Sequence, residues 1–339
     1  MARSTKTGRS SSIITLPLLR KFSGRFARCA SAASLAAFLQ YPAFLSSCTR
    51  ENVPDAQTVI ALECTTKSLQ AEAIDLFFFD TKGIQLLDAY QQLILPQKKL
   101  YGLSTSGVKR LVAISGRAGE TERWNRIRTY GDLAKHSFSL ERESISAPLL
   151  CGEVLLSEGA SRQAKVSLRP SLAAVCLRSI SCDFSGKSYA QSRFVCTQSF
   201  LTFAGAEYLP LAEGGGKPVS WINPGCLDSL AVQALPEPEM VWKKGFGEVG
   251  LSRIYPRQTF YCYPGAETCL VLEGRIGETR CYYPIPLPQL ASDTCLQLDV
   301  SLKRMGTPSP DIPAENGTII LQLCPLPWKE RSPYTEIFP

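Results

Sequence analysis

From Thr58 onward the chain runs as short apolar segments broken by turn residues, a pattern that leaves room for little besides β-sheet. Residues 59–64 and 73–80 are the first two predicted strands. In the second, Ile74, Leu76 and Phe78 share one face and Asp75, Phe77 and Phe79 the other, so both faces should be largely covered. Lys82-Gly83 makes a turn, residues 84–95 supply another strand, and residues 108–115 a further one. Trp124, Ile127, Tyr130 and Leu133 recur at helical spacing, which predicts a short amphipathic helix over residues 120–134. More strands are expected at 148–156, at 194–203, and in two runs within 164–184 on either side of Arg169-Pro170, where Arg169 and Arg178 are candidate paired edge residues. Glu213-Gly-Gly-Gly216 and Pro236-Glu-Pro238 read as loops. Residues 259–264, 268–273 and 278–284 alternate around Gly-bearing turns and predict adjacent antiparallel strands, followed by strands at 295–302 and 317–324. No segment repeats at a period of about 20–50 residues, which excludes a solenoid or propeller.

The first fifty residues obey different rules. A basic region ends at Arg28, an apolar run covers residues 29–39, and Tyr41-Pro-Ala-Phe-Leu-Ser-Ser-Cys48 follows. The run is short and rich in Ala and Ser, so it reads as an export signal to be removed rather than as a membrane span. Leu45-Ser46-Ser47-Cys48 resembles the bacterial lipobox, which implies cleavage between Ser47 and Cys48 and acylation of the Cys48 sulfur. Thr49 stands where Asp would retain a lipoprotein in the inner membrane, so an outer-membrane location is expected. The same stretch explains the formal charge of +7, because seven of the 37 basic residues precede Cys48 and no acidic residue does. Thirty basic residues then face 30 acidic ones in the remainder, and the electrostatic case for a nucleic-acid partner disappears.

Thirteen cysteines occur in the chain, but no CxxC pair and only one histidine, His136. A metal site and a cofactor are therefore not expected; the cysteines read either as disulfide formers or as small buried apolar residues. His136 reads as a surface residue. Gly214-Gly-Gly216 lacks the lysine and the strand-to-helix context of a phosphate loop. Asp293 with Asp299, or Glu273 with Glu278, are formal candidates for an acid/base pair, but as carboxylates near hairpin turns they read as solvated, and no catalytic residue is assigned. Asn316-Gly-Thr318 matches a glycosylation sequon and reads here as a turn. Trp242, Tyr255, Tyr261, Tyr263, Tyr282 and Tyr283 could form a sugar-stacking platform if several faced outward; alternation favours a sandwich core.

Several segments resemble the fimbrillin family of Bacteroidales, specifically its lipoprotein anchor and tip subunits. They are Ile74-Asp-Leu-Phe-Phe-Phe-Asp80 with Leu87-Asp-Ala-Tyr90, Pro148-Leu-Leu-Cys-Gly152, Ala173-Ala-Val-Cys-Leu-Arg-Ser-Ile180, and Leu270-Val-Leu-Glu-Gly-Arg-Ile-Gly277 followed by Cys281-Tyr-Tyr-Pro-Ile-Pro-Leu287. The resemblance implies two tandem transthyretin-like antiparallel β-sandwich domains with short helical insertions, residues 48–160 and 161–339 after a signal of residues 1–47. It also implies a non-enzymatic role in pilus assembly and adhesion: subunits joined by donor-strand exchange, an acyl anchor in the outer membrane, and a host or bacterial surface ligand. In this family some subunits lose an N-terminal strand to proteolysis after Arg or Lys, which makes Arg50 and Lys67 candidate processing sites. A glycan-binding surface lipoprotein serving nutrient uptake is the alternative from a different functional class.

Overall fold

The computed structural model describes residues 58–64, 73–94, 99–103, 107–115, 124–157, 162–213, 216–222, 235 and 237–327. Strands dominate it. The first half contains β1 (Thr58–Cys64), β2 (Ala73–Asp80), β3 (Leu87–Ile94), β4 (Lys99–Leu103), β5 (Lys109–Ser115), helix α1 (Tyr130–Ala134), β6 (Phe138–Ser139), β7 (Leu150–Leu156) and β8 (Arg162–Pro170). The second contains β9 (Ala173–Cys182), β10 (Phe194–Thr202), β11 (Ala204–Leu209), β12 (Lys217–Ile222), β13 (Trp242–Val249), β14 (Gln258–Cys262), β15 (Cys269–Ile276), β16 (Thr279–Pro286), β17 (Thr294–Leu302) and β18 (Ile319–Pro327).

The first half is one sheet in the order β3-β2-β5-β7-β8-β1-β4. It folds over on itself at β7 and β8, which share just two register pairs, Leu150 with Pro170 and Cys151 with Arg169. Val166 and Leu168 of β8 consequently pack on Ile74, Leu76, Phe78 and Leu111 across the interior, closing a small sandwich core. Gly152 makes this crossing possible, since a Cβ there would sit 2.6 Å from the Ser167 carbonyl oxygen. The opposite face of β2 is equally dry, because Phe77 and Phe79 pack with Trp124, Ile127 and Leu133. Both faces of β2 are thus covered, as its alternation predicts. Asp75, buried on that second face, accepts from Tyr90 Oη (2.7 Å), Gln92 Nε2 (3.1 Å) and Trp124 Nε1 (3.1 Å), so a charge inside the apolar layer is hydrogen-bonded.

The second half pairs the sheet β13-β10-β15-β16 with the sheet β14-β9-β17-β18. Phe194, Leu272 and Tyr283 of the one and Ile180, Phe260 and Leu298 of the other belong to a single buried cluster that continues to Phe77 and Phe79 in the first half. A third sheet, β12-β11-β6, is built from both halves: Ser139 and Phe138 pair with Glu207 and Tyr208. Beside it the buried Glu143 accepts from the Leu149 amide (3.0 Å) and from Tyr263 Oη (2.5 Å), and Tyr263 stacks on Tyr208 at 5.2 Å. Residues Asn52–Pro339 form one compact unit. The all-β sandwich architecture expected from the sequence is the one observed.

Three local expectations change. The helix predicted over 120–134 is interrupted: Trp124 is helical, Ile127 and Arg128 are not, and helix resumes as α1, while residues 116–123 lie outside the described residues. The apolar spacing still marks burial, with Trp124, Ile127 and Leu133 all inside, but the capping box of Thr129 and Asp132 starts the helix only at Tyr130. Strand β14 pairs with β9, not with β15, so the chain between Cys262 and Cys269 crosses from one sheet to the other. Strand β8 lies beyond residue 160, the expected boundary between the two domains, yet belongs to the first sheet through β1 and β7, and the chain leaves that sheet at Ser171-Leu172.

Candidate functional site

Strand β1 lies between two neighbours of one sheet. It runs parallel to β8 over seven register pairs, from Thr58 with Arg162 to Cys64 with Leu168, and antiparallel to β4 on its other side. A strand in that position satisfies backbone groups on both neighbours. Because β8 meets β7 at only two positions, β1 is its partner along nearly its whole length. Without β1, β8 would present a row of unpaired N–H and C=O groups directly over the buried Val166 and Leu168. Strand β18 is an edge strand, pairing with β17 over nine positions at the end of its sheet. Pro325 and Pro327 withhold amide donors there, while Ile320 is 56% exposed and Leu323 38%.

The assigned residues Ser47, Cys48, Arg50 and Lys67 lie outside the described residues. His136 is half-buried, not a surface residue: its ring packs between Trp124 and Phe138, 5.0 Å from each. Of the four carboxylates expected to be solvated, Glu278 is exposed, Asp293 is half-buried, and Asp299 and Glu273 are buried. Asp299 is buried and accepts from Arg178 and Ser179, and the Arg178 guanidinium beside it holds its pKa down to about 2. Glu273, also buried, accepts from Gln198 (2.5 Å) and is ion-paired with Arg280 at 2.6 Å. Both acids have basic or amide partners and neither shares a site with a second carboxylate in these contacts. Of the aromatic platform, Tyr263, Tyr282 and Tyr283 are buried, Trp242 and Tyr261 are half-buried, and Tyr255 is broadly exposed at 62%, so alternation toward the core prevails.

Cys176, Cys182, Cys196, Cys262, Cys269, Cys281 and Cys324 are free thiols. Burial pushes Cys182 and Cys269 up to about 11, and Cys196 and Cys262 up to about 12, which keeps these sulfurs neutral and unreactive. Among the described residues no group of His, Cys, Asp and Glu could hold a metal ion. One feature escapes any reading of the sequence: a polar cleft of about 700 Å³ where β5, β7 and β8 meet the turn after β11, lined among others by Arg110, Glu153, Arg169 and Glu213. These residues are scattered over a hundred positions, and no local motif marks them.

No protein-family model matches the chain, and no curated protein does. Solved structures do match. A candidate cell adhesion protein from Parabacteroides distasonis superposes with a TM-score of 0.60 at 9% identity, covering 81% of this chain and 97% of that one. One from Bacteroides eggerthii gives a TM-score of 0.57 at 14% identity, covering 81% and 96%. A fimbrilin from Porphyromonas gingivalis gives 0.55 at 9% identity, covering 81% and 98%. The likeness at these identities is one of fold, and it extends over nearly the whole of each of those proteins.

Proposed function

We propose that this chain is a fimbrial subunit of the cell surface, an anchor or tip, acylated at Cys48 in the outer membrane and joined to other subunits by strand complementation. The observation that carries this reading is a fold shared over 81% of this chain with a fimbrilin and with candidate cell adhesion proteins. The lipobox-like Leu45-Ser46-Ser47-Cys48 supports the anchor. Strand β1, placed between β8 and β4, supports the joining mechanism, because a neighbour's strand entering that gap would recover the same backbone hydrogen bonds. The work is done by binding, with no catalytic step. Adhesion to a host or bacterial surface ligand completes the role.

The experiment is mass spectrometry of purified surface fimbriae together with the state of the mature N-terminus. This reading expects the chain in the polymer, with an acylated Cys48 for an anchor or a new end beyond Lys67 for a processed subunit. Labelling by a palmitate analogue that persists in Cys48→Ala would overturn the anchor. Glycan-dependent surface binding with no filament association would favour the nutrient-uptake alternative instead.

A further inference from the structure

The cleft between the halves has the chemistry of a sugar site. Its walls come from separate elements: Arg110 from β5, Tyr130 from α1, Glu153 from β7, Arg169 from β8, and Glu213 from the turn after β11. The Arg110 guanidinium lies 4.2 Å over the Tyr130 ring, which fixes its plane, and reaches a Glu153 oxygen only at 3.5 Å. Tyr130 Oη donates to the other Glu153 oxygen at 3.0 Å. Tyr130 is itself pinned, its amide donating to the Gln85 carbonyl at 3.0 Å, with Gln85 held at a φ of 53°. These groups are oriented before any ligand arrives.

The lining carries both signs, Arg110 and Arg169 with Glu153 and Glu213, and that restricts what can enter. A simple anion would meet Glu153 and Glu213 as well as the arginines. An acidic peptide would add carboxylates beside carboxylates with no hydroxyl donors to offer them. A pyranose bearing one carboxylate meets both demands: its charge pairs with an exposed guanidinium, and its ring hydroxyls donate to carboxylates and accept from guanidinium N–H groups. We propose that this cleft binds a uronic-acid unit of a glycan, with the sugar carboxylate at Arg169 and the ring hydroxyls between Glu153 and Arg110. None of these residues lies in β1 or β18, so the site stands or falls independently of strand exchange.

The test is a titration of the full chain with methyl β-glucuronide, followed by saturation-transfer NMR and calorimetry, with methyl β-glucoside, acetate and a polyglutamate peptide as comparators. The glucuronide should bind at least about tenfold more tightly than glucoside or acetate, the loss expected for a missing charged hydrogen bond. Arg169→Gln should weaken it by about tenfold with an unchanged thermal midpoint, because Arg169 is exposed. Arg110→Gln should weaken it similarly. Equal binding of acetate and glucuronide, no saturation transfer, tighter binding of polyglutamate, or undiminished binding in Arg169→Gln would each overturn the site.

Discussion

Asp299 is a carboxylate that this fold needs charged. With its pKa held down to about 2 by Arg178, it contributes stability that is present above the ordinary carboxylate range near pH 4 and is lost as the pH falls toward 2. Arg178→Gln should lower the urea midpoint at pH 7, and the gap from the unmodified protein should close at pH 2; a gap that persists there would refute the pairing. Glu143 poses a different demand. It is 2% exposed and ties the Leu149 amide to the Tyr263 hydroxyl, so Glu143→Leu strands two buried donors and should cost about 2–5 kcal/mol in a urea titration. Neither partnership was legible in the sequence, because Arg178 and Asp299 are 121 residues apart and Glu143 and Tyr263 are 120 apart. The alternation in β2 was legible, since a side-chain period of two is a local property.

Among elements, the hairpin of β15 and β16 is the most sharply specified. Its turn is Gly277-Glu278, with Gly277 at a φ of 59° and Ile276 paired with Thr279. Gly274 serves a separate purpose: a Cβ there would fall 2.2 Å from the Val195 carbonyl oxygen and 2.4 Å from the Phe194 ring. Gly277→Ala should therefore cost about 1 kcal/mol from the backbone alone. Gly274→Ala should cost more, about 2–3 kcal/mol, because β10 itself must move. Chemical denaturation of the two variants ranks them, and the reverse order would contradict the packing. The hairpin was visible in the sequence because its turn is short, whereas the crossing of β14 to the far sheet was not, since alternation looks the same whichever strand lies alongside. The helical spacing around Trp124 likewise reported burial correctly but gave no sign of the break at Ile127 and Arg128.

At the scale of the molecule the two halves share a buried cluster, the β6–β11 pairing and the Glu143 link. The described β-structure should accordingly unfold in one calorimetric transition with coincident far-ultraviolet and tryptophan signals. Two resolved transitions would show that the halves stand alone. The sandwich architecture could be read from strand spacing, but the assigned residues of the N-terminal segment lie outside the described residues, and the polar cleft arises only when distant elements meet.

The placement of β1 also sets an order of events. Its parallel partner β8 lies about a hundred residues downstream, so a chain emerging N-terminus first makes this strand long before its longest-paired neighbour exists. The first described strand can meet β4 within about 40 residues, but its longest edge stays open until β8 follows. In a growing or translocating chain that delay is a window in which a chaperone or a neighbouring molecule can compete for the vacant berth.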